Sequence, residues 1–415
     1  MERIPVAPVA ANTPRNFGAK YLIALILSSL GIGLAGIRVT HFVTPMPGYW
    51  LDAQEFAKTS RIADTFTPDF YPALLGEGMR LFGKSGPALV QLLMYVVFAV
   101  MAYCIFRLLD ISDRYAALFA GLVSLCPDLI AGINRIWDVE ASCTAFAALA
   151  CCILLIAKKQ ASFGKTILTG IVWGTGIALR PNFPLLALPI AYAVWASLPR
   201  NRMMYAKLAL HLSLVAAIAF GTVASLNRFS HGAIFWPRNG PYNFYAGANE
   251  FTGDSLKSSH LNGEESISPA LAKMGIVKTG NELFDARLNK LYMDSGIAFI
   301  RSHPLEWSFD FGALKLFTML RPDTKIHPLF SPEGLARALV SSASIVWLVL
   351  LYFRIRSEWK RSDSVAVLLV VSYSLPFLLT NSDPRFGIAL NLFLWIAVIS
   401  FLCPAKWRKP SSRRT

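Results

Sequence analysis

The sequence predicts an all-α polytopic membrane protein with about ten transmembrane helices, and three observations predict it. Hydrophobic residues make up 54% of the 415 and charged residues only 16%, where a soluble domain carries about 25% charged. The apolar residues fall into runs at 20–40, 86–108, 115–131, 139–157, 166–180, 183–198, 206–226, 333–353, 364–380 and 386–403, most of them near the length a helix needs to cross a bilayer. The basic residues gather on alternate connections between those runs. Disorder is excluded, because it requires low hydrophobicity.

The elements follow in order. The run 21–37 begins after a Pro/Ala-rich lead and has no small-residue cleavage site behind it, so it reads as an uncleaved first span. A first outer loop at 41–85 follows. The fifth and sixth runs are short and separated by Arg180-Pro181-Asn182, where proline stops a helix, so they read as two spans or one kinked span. A large outer region occupies 227–332. Both loops are too long to be simple connectors. The chain therefore divides into an N-terminal transmembrane module, 1–226, the outer region, 227–332, and C-terminal helices with a basic tail, 333–415.

Charge sets the orientation. With the N-terminus inside and the spans alternating, the inside segments are 1–20, 107–114, 158–165, 199–207, 354–363 and 404–415. They hold half of the 40 Lys and Arg but only Glu2, Asp110, Asp113, Glu358 and Asp363 among the 25 acids. That is the positive-inside pattern, with both termini cytoplasmic. The net charge of +15 is thus topological, and neither nucleic acid nor a nucleotide is expected as a partner.

Two formal motifs are set aside. Gly78 to Ser85 matches a phosphate-binding loop, but it follows a helical pattern instead of a strand. Gly31 to Gly36 matches a dinucleotide fingerprint inside the first span, where small residues serve close helix packing; Gly170 and Gly174 read the same way. The six cysteines lie in or beside apolar runs without metal spacing and read as small buried residues. No His-Glu-x-x-His pattern points to a zinc hydrolase.

The chemistry-bearing residues gather at the outer turns. Tyr49-Trp50-Leu51-Asp52-Ala53-Gln54-Glu55-Phe56 opens the first outer loop, and as a helix it puts Asp52 and Glu55 on one face. Asp138 and Glu140 occupy the tight outward turn between the third and fourth spans. Such acids also read as solvated surface carboxylates. The arginines at span ends, Arg180 and Arg385, and Arg301 in the outer region also read as interfacial snorkelling residues.

The order Asp52-x-x-Glu55-Phe56, Phe70-Tyr71-Pro72-x-Leu74-Leu75 and Leu81-Phe82-Gly83 after a first span resembles the polytopic GT-C glycosyltransferases. The branch it resembles holds dolichyl-phosphate-mannose protein mannosyltransferases and bacterial lipid A aminoarabinose transferases. Ala178-Leu179-Arg180-Pro181, Asn243 to Asn249, Ile300-Arg301-Ser302-His303-Pro304 and Asp383-Pro384-Arg385-Phe386 continue the likeness. The resemblance implies a GT-C-like fold with a helical first outer loop. It implies transfer of a sugar from a polyprenyl-phosphate donor, with inversion, at the outer face of a membrane, by analogy a bacterial inner membrane. Asp52 matches the family's base, with Glu55 beside it. Arg385, Arg180 and Arg301 are candidates to hold the donor phosphate, in that order, and Asp138, Glu140 and His303 form a second, acceptor-side group. A divalent metal is possible and no other cofactor is implied. The acids here are three apart, whereas the protein mannosyltransferases carry adjacent acids, so the acceptor stays open. A transporter or lipid flippase is the alternative.

Reporter fusions after Gln160 and Ala270 should report opposite sides of the membrane. Reports from one side would overturn the alternation.

Overall fold

The computed structural model describes residues 17–39, 47–63, 70–135, 138–180, 182–234, 240–253, 263–276, 288–320, 332–356, 359–380 and 384–408. Within them the chain is helical, and the one β pairing is an isolated bridge between Ile111 and Arg408. Hydrocarbon offers backbone groups no partner, so an apolar chain satisfies them within helices.

The first span is α1 (Phe17–Val39). The predicted first outer loop folds into α2 (Pro47–Thr59) and α3 (Phe70–Phe82). A 3-10 turn at Gly83–Ser85 leads from α3 into α4 (Gly86–Leu108). The phosphate-loop pattern is therefore a turn between two helices, as its setting implied. Next come α5 (Asp113–Ser124) and α6 (Pro127–Arg135), bent from each other by 58° just ahead of Pro127, as the restriction on pre-proline residues requires. Four helices complete the N-terminal half: α7 (Val139–Lys159), α8 (Phe163–Leu179), α9 (Ala187–Ser197) and α10 (Met204–His231).

The region predicted to lie outside, 227–332, contributes α11 (Gly240–Ala246), α12 (Gly263–Lys273), α13 (Asn289–Ser302) and α14 (Gly312–Leu320). Tyr242, Tyr245, Ile267, Leu271 and Tyr292 give it a small hydrophobic core of its own. The C-terminal helices are α15 (Pro332–Ser341), α16 (Ala343–Ile355), α17 (Arg361–Leu379) and α18 (Pro384–Leu402).

Among the described residues six helices are long and apolar enough to cross a membrane, or seven if α5 and α6 form one crossing. Three shorter apolar helices, Phe163–Leu179, Phe183–Ser197 and Gly387–Leu402, take the places of the fifth, sixth and last predicted runs. An apolar helix thus stands at each predicted position, while length and composition alone support six or seven crossings. The fifth and sixth runs are separate helices: Arg180 is extended, with φ −149°.

Helix α7 is central, with 78% of its span buried, against 22% for the peripheral α1 and α10. Close approach rests on glycine where α8 meets α10. A Cβ on Gly174 would lie 2.5 Å from the Ala219 carbonyl oxygen, and one on Gly170 would lie 2.8 Å from Ile218 Cβ. This is the packing use of small residues read from the sequence.

The described parts of 107–114, 158–165 and 404–415 meet at one end of the bundle, together with the last turn of α9. Ser112 N donates to the Trp407 carbonyl at 3.0 Å, Lys158 Nζ donates to the Leu108 carbonyl at 2.5 Å, and Ala161 N donates to Ser197 Oγ at 3.2 Å. Tyr115 stacks on Trp407 with ring centroids 4.6 Å apart.

Helix α2 lies against α3 through Ala53 and Phe56, both buried. Gly76 makes that possible, since a Cβ there would come within 2.6 Å of the Ala53 carbonyl oxygen. Substituting Gly76→Leu should push α2 away at a cost of about 1–3 kcal/mol. The thermal midpoint of the purified protein should fall, and an unchanged midpoint would contradict this packing.

Candidate active site

The site begins at the first turn of α7. Asp138 stands at its N-cap position but makes no side-chain cap bond. Its carboxylate turns instead to Arg180, at the end of α8, with Nη2 and Oδ2 2.5 Å apart and side-chain exposures of 8% and 9%. Tyr49 of α2 donates its hydroxyl to the same Oδ2 at 3.1 Å. The Tyr49 ring also meets Tyr71 of α3 edge-on, with centroids 5.3 Å apart. One acid thereby ties together the first-loop helix, α7 and the α8 terminus.

Glu140 is fully buried one step further. Its Oε2 accepts from Gln91 Nε2 of α4 at 3.1 Å, and the same amide reaches the Gly132 carbonyl at 3.3 Å. Tyr373 of α17 is buried against the ring of Phe183, just past Arg180. Buried charge is tolerated only when paired and hydrogen-bonded; Asp138 has Arg180 and Tyr49 on Oδ2, and Glu140 has the Gln91 amide on Oε2, while Asp138 Oδ1, Glu140 Oε1 and Arg180 Nε have no hydrogen-bond partner among the described residues.

Asp52 lies three residues beyond Tyr49 on α2 and is half-buried, so the two occupy one face of a short helix. Glu55, half-buried, accepts from Ala63 N at 3.3 Å through Oε1, bracing the chain that leaves α2. Arg301 and His303 close α13 on an exposed surface. His303 N caps the Phe299 carbonyl at 2.9 Å, its ring stacks on Phe299 at 4.7 Å, and its Nδ1 lies 2.8 Å from Ser302 Oγ. Neither takes part in the Asp138 cluster. Arg385 is the second residue of α18, and its side chain lies outside the described residues, as do Asp69, Pro181 and Asp383. No three His, Cys, Asp or Glu side chains converge as a metal cage among the described residues.

Lys315 is a residue that sequence reasoning missed. It lies on α14, fully buried, and donates to the Gly247 carbonyl at 2.7 Å and the Leu378 carbonyl at 3.0 Å. The ammonium sits 5.5 Å over the Trp307 ring. The motif Asn243 to Asn249 is thereby clamped onto the C-terminal end of α17. Inside that motif, Asn249 Nδ2 donates to the Tyr245 carbonyl at 2.7 Å and its Oδ1 accepts from Phe251 N at 2.9 Å. Burial brings the lysine down from 10.5 to about 7. The one available signal was a lone lysine within the apolar run Gly-Ala-Leu-Lys-Leu-Phe-Thr-Met-Leu. Tyr49 and Gln91 were missed as well, because each meets its acid across a long stretch of chain.

Two predictions follow from these contacts. Arg180→Met leaves Asp138 buried without its cation and should cost about 3–5 kcal/mol. The double variant Arg180→Met/Asp138→Asn should recover part of that in thermal unfolding, and no recovery would contradict the pairing. For Lys315 the unfolded chain binds the proton more tightly than the folded one. Its contribution to stability therefore rises with pH between about 7 and 10.5 and is at its least favourable below 7. The wild type should gain thermal midpoint relative to Lys315→Met as pH rises from 7 to 9. A constant difference would contradict the shift.

No curated protein matches the chain. Among solved structures, the archaeal oligosaccharyltransferase AglB from Archaeoglobus fulgidus, in complex with an inhibitory peptide and a dolichol-phosphate, aligns with 93% of this chain at 13% identity and a TM-score of 0.48. The chain spans about half of that protein, 50% of its length. Residues 67–225, which carry Tyr71, Asp138, Glu140 and Arg180, match the model of the dolichyl-phosphate-mannose-protein mannosyltransferase family, and over that stretch the likeness to GT-C glycosyltransferases read from the sequence is borne out.

Proposed function

We propose that the protein is a membrane glycosyltransferase of the GT-C kind. It moves a sugar from a polyprenyl-phosphate carrier to an acceptor hydroxyl at the outer membrane face, with inversion. The observation that carries this reading is the match of residues 67–225 to a family named for mannose transfer from dolichyl phosphate. The described geometry supports it, because Tyr49 joins the helix bearing Asp52 to the Asp138–Arg180 pair inside the matched stretch.

In this reading the acceptor oxygen attacks the anomeric carbon as the bond from that carbon to the phosphate oxygen breaks. The bonding pair leaves with the polyprenyl phosphate, and the acceptor proton passes to Asp52 as general base. Glu55 braces the segment that follows α2. The departing phosphate needs a cation, and a planar guanidinium suits it; Arg385 is assigned first, ahead of Arg180 and Arg301. Arg180 contributes by holding Asp138, and Asp138, Glu140 and His303 are assigned to the acceptor side. The membrane is proposed to be a bacterial inner membrane, with both termini on its cytoplasmic side.

The test uses purified protein in lipid with a panel of radiolabelled polyprenyl-phosphate sugars and a crude membrane acceptor mixture. Wild type should consume one donor, and Asp52→Asn should lower that rate by about a hundredfold or more. Equal rates would remove Asp52 from the chemistry. A wild type that consumes no donor in the panel would overturn the donor class and favour transport.

A further inference from the structure

At the opposite end of the bundle lies a cavity of about 600 Å³, remote from Asp138 and Arg180. It opens where α4 and α7 end and where α17 begins. Lys158, Arg354, Lys360, Arg361 and Arg408 line it, against two acids, Asp110 and Asp363. Part of that charge is already neutralised: Lys158 Nζ lies 2.6 Å from Asp110 Oδ1, and Arg354 Nε lies 2.8 Å from Asp363 Oδ2. Arg408 is held by carbonyls alone, Ser400 at 2.8 Å and Cys403 at 3.3 Å. Lys360 and Arg361 are exposed and make no ion pair among the described residues. The cavity therefore keeps a surplus of positive charge.

Two further features give it a direction. The 19-residue helix α17 starts here, with Lys360 as its N-cap residue and Arg361 as its first residue, so its positive dipole end lies at the cavity, partly met by Asp363, whose Oδ2 accepts from Lys360 N at 2.7 Å. Deeper in, the wall turns apolar through Leu154, Phe393, Ile396 and Ala397, which belong to the spans α7 and α18. Beside it Phe353, Ile355 and Leu402 present large apolar surfaces outward, at 57%, 64% and 59% exposure. A basic mouth over an apolar wall between spans matches an amphiphile whose anionic head lies at the membrane surface and whose chain lies in hydrocarbon. A small anion would use only the mouth.

We propose that this cavity binds an anionic phospholipid of the leaflet on the basic side, with the phosphate held by Arg361, Lys360 and Arg408 and an acyl chain along Leu154 and Phe393. The site is separate from the glycosyl-transfer reading and does not depend on it. It gives the basic face a specific lipid ligand in addition to its role in orientation.

The test is native mass spectrometry of the full-length protein in detergent, titrated with phosphatidylglycerol, phosphatidylcholine and glycerol phosphate. Phosphatidylglycerol should be retained about tenfold better than phosphatidylcholine, and each basic side chain removed should lower its retention by about fivefold. Arg361→Gln/Arg408→Gln should abolish the preference. Arg361→Gln alone, which breaks no bond among the described residues, should lower it with the thermal midpoint unchanged. Lys207→Gln, a charge removed elsewhere on the same face, should leave it intact. Equal retention of both lipids would overturn the proposal, as would an equal loss in Lys207→Gln. Displacement of the lipid by millimolar glycerol phosphate would assign the mouth to a soluble phosphate and overturn the lipid.

Discussion

The pairing of Arg180 with Asp138 is the constraint on which the candidate-site end of the bundle depends. Both side chains are more than nine-tenths buried, and the pair joins the start of α7 to the end of α8. A buried ion pair repays its desolvation only with close geometry and further hydrogen bonds. Here Tyr49 supplies one, across 89 residues of chain. The N-cap position of α7 would ordinarily use an aspartate to bond its own backbone. That bond is absent, and the carboxylate serves the tertiary contact instead. A locally favourable bond given up for a distant one is expected where a site is being built.

The C-terminal half is fixed to the rest by the same currency of buried charge. Arg337 of α15 meets Asp128 of α6 at 2.7 Å, with exposures of 4% and 14%, and so ties a C-terminal helix to the kinked α5–α6 pair. Lys315 makes the third junction, between the outer-region motif at Gly247 and the last turn of α17 at Leu378. At Gly247 a side chain would run into the Thr380 carbonyl and the lysine, which explains a glycine in the middle of Asn-Phe-Tyr-Ala-Gly-Ala-Asn. The Lys315 brace holds the last turn of α17, which ends shortly before Arg385 in the sequence.

Much of the architecture was legible because hydrophobic run length and charge placement are local quantities. The ten apolar positions follow from them, as does the meeting of 107–114, 158–165 and the start of 404–415 at one end, whereas the break at Arg180-Pro181 left two helices or one kinked helix equally open. The glycine patterns Gly31–Gly36 and Gly78–Ser85 were legible as decoys for the same reason, since their flanks read as helix. The site was legible only in part. Asp138 and Arg180 were each visible as a charged residue at a span end, but their partnership depends on how α7 packs on α8. Tyr49 carried no pattern of its own beyond standing three residues before Asp52. Lys315 was hidden because a lysine in a helix is ordinarily a surface residue, and only tertiary burial makes it a clamp.

Burial also separates the roles of the acids. A fully buried carboxylate whose partners come from other helices cannot change them without leaving a charge in low dielectric, which costs several kcal/mol. Asp138, held by Arg180 and Tyr49, is in that position. Such groups set shape and field. A general base has the opposite requirement, since it must accept a proton and return it within one turnover. A half-buried carboxylate can exchange partners with water repaying part of the cost. Asp52 has that degree of burial, on a 13-residue helix anchored on its neighbouring positions by Tyr49 and Phe56. Depth of burial thus separates Asp52, half-buried on α2, from Asp138 and Glu140, buried at the start of α7.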